Sequence, residues 1–253
     1  MAIALRKPKE IDGLRAANHL VARAHAHIAP MVRPGVTTRE LEREAERFIT
    51  SEGGRCSFKG LYEPPFPGAI CTSVNEVIIH GTPNEKPLQE GDNVGLDIGV
   101  ELDGWYGDAA VTLPVGQISD AETKLIHAAQ TALQNAIDEI RSGMRFKMLS
   151  QILEETITQL GFVPLRGYCG HGIGRTPHEE PSILNYVEGR ADQGPKIKEG
   201  MVFCIEPMLC QQSGESRVLD DQWSVVSLDG LRGSHYEHTV AIIGGRAEIL
   251  SLA

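Results

Sequence analysis

The chain opens on an amphipathic pattern. From Pro8 to Ile28 the apolar residues Ile11, Leu14, Val21 and Ile28 recur at helical spacing until Pro30 interrupts them, which predicts a helix over that span. His19, His25 and His27 lie on it without sharing a face, so they read as ordinary surface or core histidines. A second helix is bounded by the capping box Thr37-x-x-Glu40 and the stop Gly53-Gly54. Cys56 to Gly68 mixes aromatics with prolines and reads as a loop that either folds over the core or lines a pocket. Ala69 to Ile79 reads as one strand, followed by His80-Gly81. Ser119-x-x-Glu122 heads a long helix through Ile140, with Leu125, Ala129, Ala132 and Ala136 on one stripe. A fourth helix runs from Phe146 to Leu160 and ends at Gly161.

Between these helices, Asn93 to Val111 departs from a simple buried pattern. Val94, Leu96, Ile98 and Val100 alternate with Gly95, Asp97 and Gly99, so a strand here turns one apolar face inward and one small, acidic face elsewhere. Asp103-Gly104 is a two-residue hairpin turn signal. With the turn there, Asp108 opposes Gly99 and Asp97 is its diagonal neighbour on the same face. Two adjacent carboxylates must be solvated, share a proton or hold a cation. On this stretch alone a solvated face and a metal site are equally compatible with the pattern.

A duplication extends the acidic set. Arg33-Pro34-Gly35 before one helix matches Arg141-Ser142-Gly143 before another at an offset of 108 positions, and the helix-ending glycines Gly53 and Gly161 repeat that offset. Glu90-Gly91 matches Glu199-Gly200 at an offset of 109. Six places after that glycine stands Asp97 in one half and Glu206 in the other. FCIEPMLC is expected to be a strand with Cys204, Glu206 and Met208 on one face. Glu237 in HYEHTVAII takes the place of Asp108, since Val240 follows it by three residues as Val111 follows Asp108. The wider spacing predicts an insertion of about twenty residues between Gln211 and Leu231. Such halves, roughly 30–115 and 140–245, form one domain over 1–253 with its site between the copies.

GYCGHGIGRTPHEEP, residues 167 to 181, lies between the two parts of this set. The glycines beside His171 would let the backbone pass close to a ligand, and His171 reads as a fifth metal ligand. A nucleotide loop is disfavoured, because Pro177 follows where a helix should start. His178 reads as a group behind the ligands or a substrate-contacting base, and Glu179 and Glu180 as salt-bridging or surface groups. Four uncompensated carboxylates in one cleft imply cations.

Composition narrows the setting. Of 253 residues 41% are hydrophobic and 23% charged, as in an ordinary globular protein, and the net charge of −10 argues against a nucleic-acid or anionic-membrane binder. No apolar run reaches membrane-spanning length, and the charges from Arg6 to Arg15 interrupt any signal-peptide core. Five cysteines without a C-x-x-C pair suit reduced thiols. These features predict a cytoplasmic protein. One histidine with four carboxylates suits two Mn²⁺, Fe²⁺, Co²⁺ or Zn²⁺ ions and not a thiolate-rich structural zinc.

Taken together, D-x10-D, G-H-G-I-G, E-P and Y-E-H-T in this order resemble the type I methionine aminopeptidases over nearly the whole chain. The resemblance implies an α+β pita-bread fold, with two pseudo-symmetric α/β halves around an antiparallel sheet. It implies removal of the initiator methionine from nascent chains when the next residue is small, by a metal-activated hydroxide attacking the first peptide bond. Asp97 would chelate one ion, Asp108 and Glu237 would bridge both, and His171 and Glu206 would complete the other. Glu206 would also shuttle a proton, His178 would bond the scissile carbonyl or oxyanion, and His80 would contact the substrate backbone. The methionine pocket would be lined by Cys56, Tyr62, Phe66, Cys71 and Trp223. A sulfur-aromatic cup suits a thioether.

Pro177 and the Pro64-Pro65 loop depart from the family pattern. The chain has neither the cysteine-rich extension of eukaryotic type I forms nor room between Pro181 and Met201 for the type II insertion. A monomer is expected, with the ribosome a further candidate partner. The rival readings are a proline-specific peptidase of the same fold, which usually carries an added N-terminal domain, and a metal-free binding protein that should have lost ligands.

Overall fold

The computed structural model describes residues 3–252; residues 1, 2 and 253 of the expected 1–253 domain lie outside the described residues. Helix α1 (Pro8–Ile28) has the predicted span, and α2 (Thr38–Ser51) begins at the reciprocal cap between Thr37 and Glu40. Short β1 (Arg55–Cys56), β2 (Cys71–Val74) and β3 (Val77–Ile79) precede the long hairpin β4 (Asn93–Leu102) and β5 (Trp105–Pro114). Helices α3 (Asp120–Glu139) and α4 (Phe146–Gln159) follow. The second half carries β6 (Val163–Pro164), β7 (Cys169–Gly172), β8 (Glu179–Leu184), β9 (Val202–Ile205) and β10 (Met208–Cys210). It ends with β11 (Ser216–Val218), β12 (Val225–Ser227), β13 (Gly233–His235), β14 (Glu237–Ile243) and β15 (Arg246–Ile249).

A nine-stranded sheet runs β1-β4-β5-β14-β9-β7-β8, with β2 also on β4 and β15 on β14, and every pairing in it is antiparallel. Two three-stranded sheets, β13-β10-β6 and β11-β12-β3, lie beside it. Helices α1 and α2 pack on β4 through Leu20, Val21, Leu41 and Ile49 against Val94, Leu96 and Ile98. Helices α3 and α4 pack on β9 and β14 through Leu125, Leu133, Leu149 and Leu153 against Phe203, Ile205 and Val240. Each fully buried aliphatic contributes roughly 1.5–3 kcal/mol, so each half has a core able to hold its part of the sheet. The halves meet where β5 pairs with β14, Ala110 opposite Glu237.

The hairpin has the expected register, with Gly99 opposite Asp108 and Asp97 opposite Ala110. Asp103 and Gly104 both take positive φ, as a two-residue hairpin turn requires. Two expected strands are broken instead. Ala69–Ile79 divides at Asn75 (φ 57°), so β2 joins the large sheet and β3 joins β12. FCIEPMLC divides at Glu206-Pro207, since proline has no N–H for the ladder; β9 stays in the large sheet and β10 pairs with β13. Glu206 therefore sits in a link between sheets, not on a strand face with Cys204 and Met208. Between Gln211 and Leu231, where the insertion is expected, lies the β11–β12 hairpin, with Trp223 in its loop.

Candidate active site

A cavity of about 450 Å³ opens against the large sheet, closed by the loop that carries Phe58 to Phe66, by Ile79 and His80 at the end of β3, and by Trp223. One end is acidic and imidazole-rich, lined by Asp97, Asp108, His171, Glu206 and Glu237; the other is aromatic, lined by Phe58, Tyr62, Phe66 and Trp223. Among the described residues lining it there is no lysine or arginine.

Backbone contacts hold the acidic end. Asp108 donates its N–H to Asn18 Oδ1 of α1 (3.1 Å), and its carbonyl accepts from Thr239 Oγ1 of β14 (2.8 Å). Glu206, lacking a ladder, has its carbonyl held by Asn185 Nδ2 at 2.9 Å. Ligand atoms of Asp97, Asp108 and Glu237 lie within 4.8 Å of one another, as do those of Glu206, His235 and Glu237. His171 Nε2 lies 3.5 Å from Glu206 Oε1. Its Nδ1 donates to the carbonyl of Gly172 at 3.0 Å, which leaves the Nε2 lone pair facing the carboxylates.

Burial dominates the electrostatics. It pushes Asp97 up to about 7 and Asp108, Glu206 and Glu237 well above the usual carboxylate range, with neighbouring carboxylates adding to the last three. Burial also lowers His171 and His235 to about 3 and His80 to about 4. Asp97 Oδ1, Asp108 Oδ1 and Glu237 Oε1 are shut off from water without a hydrogen-bond partner. Unpartnered carboxylate oxygens converging on one space, with an imidazole lone pair, fit divalent cations.

Most of the expected substrate residues meet here. Phe66 stacks edge-on with Trp223 at 5.1 Å between centroids and clusters with Phe58 and Cys71. His178 Nδ1 is 2.7 Å from the hydroxyl of Tyr62, a residue 59% exposed at the mouth. His80, with a positive φ of 58°, packs edge-on against Tyr168. Cys56 does not reach the cavity. It pairs with Val100 and packs with the α1–α2 core, while Phe58 two residues on takes the wall position, its ring resting on Gly99 where a Cβ would collide. The glycines around His171 serve packing and not a ligand, for Cβ atoms on Gly170 and Gly172 would strike the carbonyls of Cys204 and Glu180. Glu179 pairs with Arg6, as a salt-bridging group should. His19 is exposed, His27 pairs with Glu44, and His25 bonds the Ala109 carbonyl, so all three stay outside the site.

Sequence reading missed Phe58 and His235. The signal for His235 was available, since it stands two residues before Glu237 and extended chain puts i and i+2 on one side.

Comparison with known proteins agrees with this geometry. The chain is 58% identical over 253 residues to the methionine aminopeptidase of Helicobacter pylori (strain ATCC 700392 / 26695), covering 99% of both. It is 39% identical over 249 residues to methionine aminopeptidase 1 of Bacillus subtilis (strain 168), covering 98% of this chain and 99% of that one. The crystal structure of methionine aminopeptidase from Rickettsia prowazekii superposes with a TM-score of 0.95 at 36% identity, covering 99% of this chain and all of that one. An Xaa-Pro dipeptidase from Bacillus anthracis shares the fold, with a TM-score of 0.78 at 24% identity, and this chain covers 62% of it. The description "Metallopeptidase family M24" matches residues 12–243, and with that span, those relatives and the pita-bread fold, the chain belongs to metallopeptidase family M24.

Proposed function

We propose that the acidic end of the cavity holds two divalent ions and that the aromatic end receives the side chain of an N-terminal methionine. The protein is a metal-dependent aminopeptidase that removes N-terminal methionine from polypeptides. The observation that carries the two-ion reading is the burial together of four carboxylates with no lysine or arginine among the described lining residues. Asp97, Asp108, His171, Glu206 and Glu237 would hold the ions, which when bound acidify a water and polarise the scissile carbonyl.

The chain's own groups do the rest. Phe58, Phe66, Cys71 and Trp223 form the cup for the thioether and exclude water from it. With the Tyr62 O–H donating to His178 Nδ1, 2.7 Å away, His178 Nε2 would carry the proton and supply a donor to the oxygen that gains charge. His80 borders the path of the substrate backbone. Glu206 accepts a proton at a carboxylate oxygen and returns it to the leaving amine. We assign nascent chains with a small second residue as substrates and the reducing cytoplasm as the setting, supported by five free cysteines.

The test is hydrolysis of Met-Ala-Ser, with Met-Leu and Xaa-Pro peptides alongside, after chelation and after adding back Mn²⁺ or Co²⁺. Chelated protein should be inactive and regain cleavage of Met-Ala-Ser alone. Full activity after exhaustive metal removal would sink the metal reading, and preferential Xaa-Pro cleavage would transfer the site to proline-specific chemistry.

A further inference from the structure

His235 groups with Glu206 and Glu237 but stands outside the five assigned ligands, and its surroundings are built. Its backbone is clamped from the strand that carries Asp108: His235 N–H donates to Thr112 Oγ1 at 2.9 Å, and Thr112 Oγ1 donates to the His235 carbonyl at 2.8 Å. Opposite Met208 in β13, it is 4% exposed. The side chain thus has one place to go. Its Nε2 is sealed from water without a hydrogen-bond partner, and two carboxylate oxygens lie close to it, Glu206 Oε2 and Glu237 Oε2, each at 3.9 Å.

The two oxygens of Glu206 are therefore divided between two imidazoles. Oε1 faces His171 Nε2 at 3.5 Å, and Oε2 faces His235 Nε2. The imidazoles are not equivalent. His171 presents a lone pair, because its Nδ1–H is spent on Gly172. On His235 an Nε2–H has two carboxylate oxygens as acceptors and no other partner among the described residues, so the neutral tautomer with hydrogen on Nε2 suits this position. The 3.9 Å separations exceed a hydrogen bond by about 1 Å, a gap that a small rotation of either carboxylate closes.

We propose that His235 is a positioning residue of the metal centre: its Nε2–H takes Glu206 Oε2 as acceptor, which leaves Oε1 turned towards His171, and it steadies Glu237 through Oε2 in the same way. Ligating carboxylates are commonly held by such outer hydrogen bonds, and losing one costs about 10–100-fold in metal affinity or activity. The inference rests on reading the cavity as a metal centre, and it adds a group that neither touches substrate nor ligates an ion.

The experiment titrates wild-type, His235→Leu and His235→Gln protein with Mn²⁺ by calorimetry and records Co²⁺ absorption spectra. It then measures kcat and KM on Met-Ala-Ser at saturating metal. Leucine fills the space without a donor, whereas glutamine brings an N–H to a similar reach. The expected result is Mn²⁺ affinity about 10–100-fold weaker in the leucine variant and within a few-fold of wild type in the glutamine variant. The kcat should follow the same order with little change in KM. Wild-type affinity and kcat in the leucine variant would overturn the proposal. So would loss of one bound ion with the same altered Co²⁺ spectrum in both variants, which would make His235 a ligand. If leucine prevents folding, His235→Asn, polar but one bond shorter, should lose the affinity that glutamine keeps; asparagine matching wild type overturns the proposal equally. Failure of wild-type protein to bind Mn²⁺ would instead strike the metal-centre reading itself.

Discussion

Glu206 is the residue on which position and chemistry converge. It sits in the two-residue link where one strand hands over to another sheet, its carbonyl is held by Asn185, and its carboxylate lies between two imidazoles. Replacing it with glutamine keeps the shape and removes the proton acceptor. At saturating metal, Glu206→Gln should lower kcat about 100-fold or more and leave KM within a few-fold, because the lost interaction belongs to the transition state. A KM effect with kcat intact would remove Glu206 from proton transfer. Individual site residues were unevenly legible. Asp97 and Asp108 followed from hairpin register, and Glu206 and Glu237 from the internal offset, since both are counting arguments that side-chain detail cannot disturb. Cys56 was misplaced because a two-residue strand has no alternation long enough to say which side faces the core, and Gly99 gives room for Phe58 in a way only the folded backbone reveals.

At the scale of elements, helices were more legible than strands. Pro8, the Thr37 and Ser119 boxes and the terminating glycines act within one turn, so α1 to α4 emerged with their predicted limits to within a residue or two. The divisions at Asn75 and at Glu206-Pro207 depend on which sheet each half joins, a long-range matter. The offset of the halves recurs in the backbone. Gly35 N–H bonds the Leu88 carbonyl as Gly143 N–H bonds that of Ile197, both at 2.8 Å, and Leu88 and Ile197 donate back to Val36 and Met144. We infer that the chain is one duplicated domain, with the β11–β12 hairpin added to the second copy. That hairpin supplies Trp223 to the aromatic end, so Trp223→Ala should raise KM for Met-Ala-Ser about 10-fold or more through lost apolar contact, with kcat much less affected. An unchanged KM would remove the hairpin from substrate binding. No described helix is long and apolar enough to cross a membrane.

For the whole molecule, the cleft is a stability problem that ions solve. In metal-free protein the folded-state pKa values of Asp97, Asp108, Glu206 and Glu237 are raised, Asp97 to about 7 from 3.8. A raised carboxylate favours folding at low pH, and that contribution is lost as pH climbs through the folded value. The buried His171 and His235 act oppositely. Their folded values near 3 lie below the unfolded 6.5, so their contribution is complete above 6.5 and fades as pH falls. Below 6.5 the two sets offset each other, whereas above it the carboxylates alone decide. Metal-free protein should therefore lose stability as pH rises from 6.5 to 8.5. Bound cations compensate the same charges and bind better as the ligands deprotonate. At an ion concentration 100 times its Kd, ligation supplies about 2.7 kcal/mol, which for a chain of this size corresponds to roughly 5–10 °C in Tm. The Tm difference between Mn²⁺-loaded and chelated protein should widen steadily across that interval. A difference that stays constant, or narrows, would mean that the four carboxylates are neutralised within the protein itself and that the cleft does not need ions to remain folded.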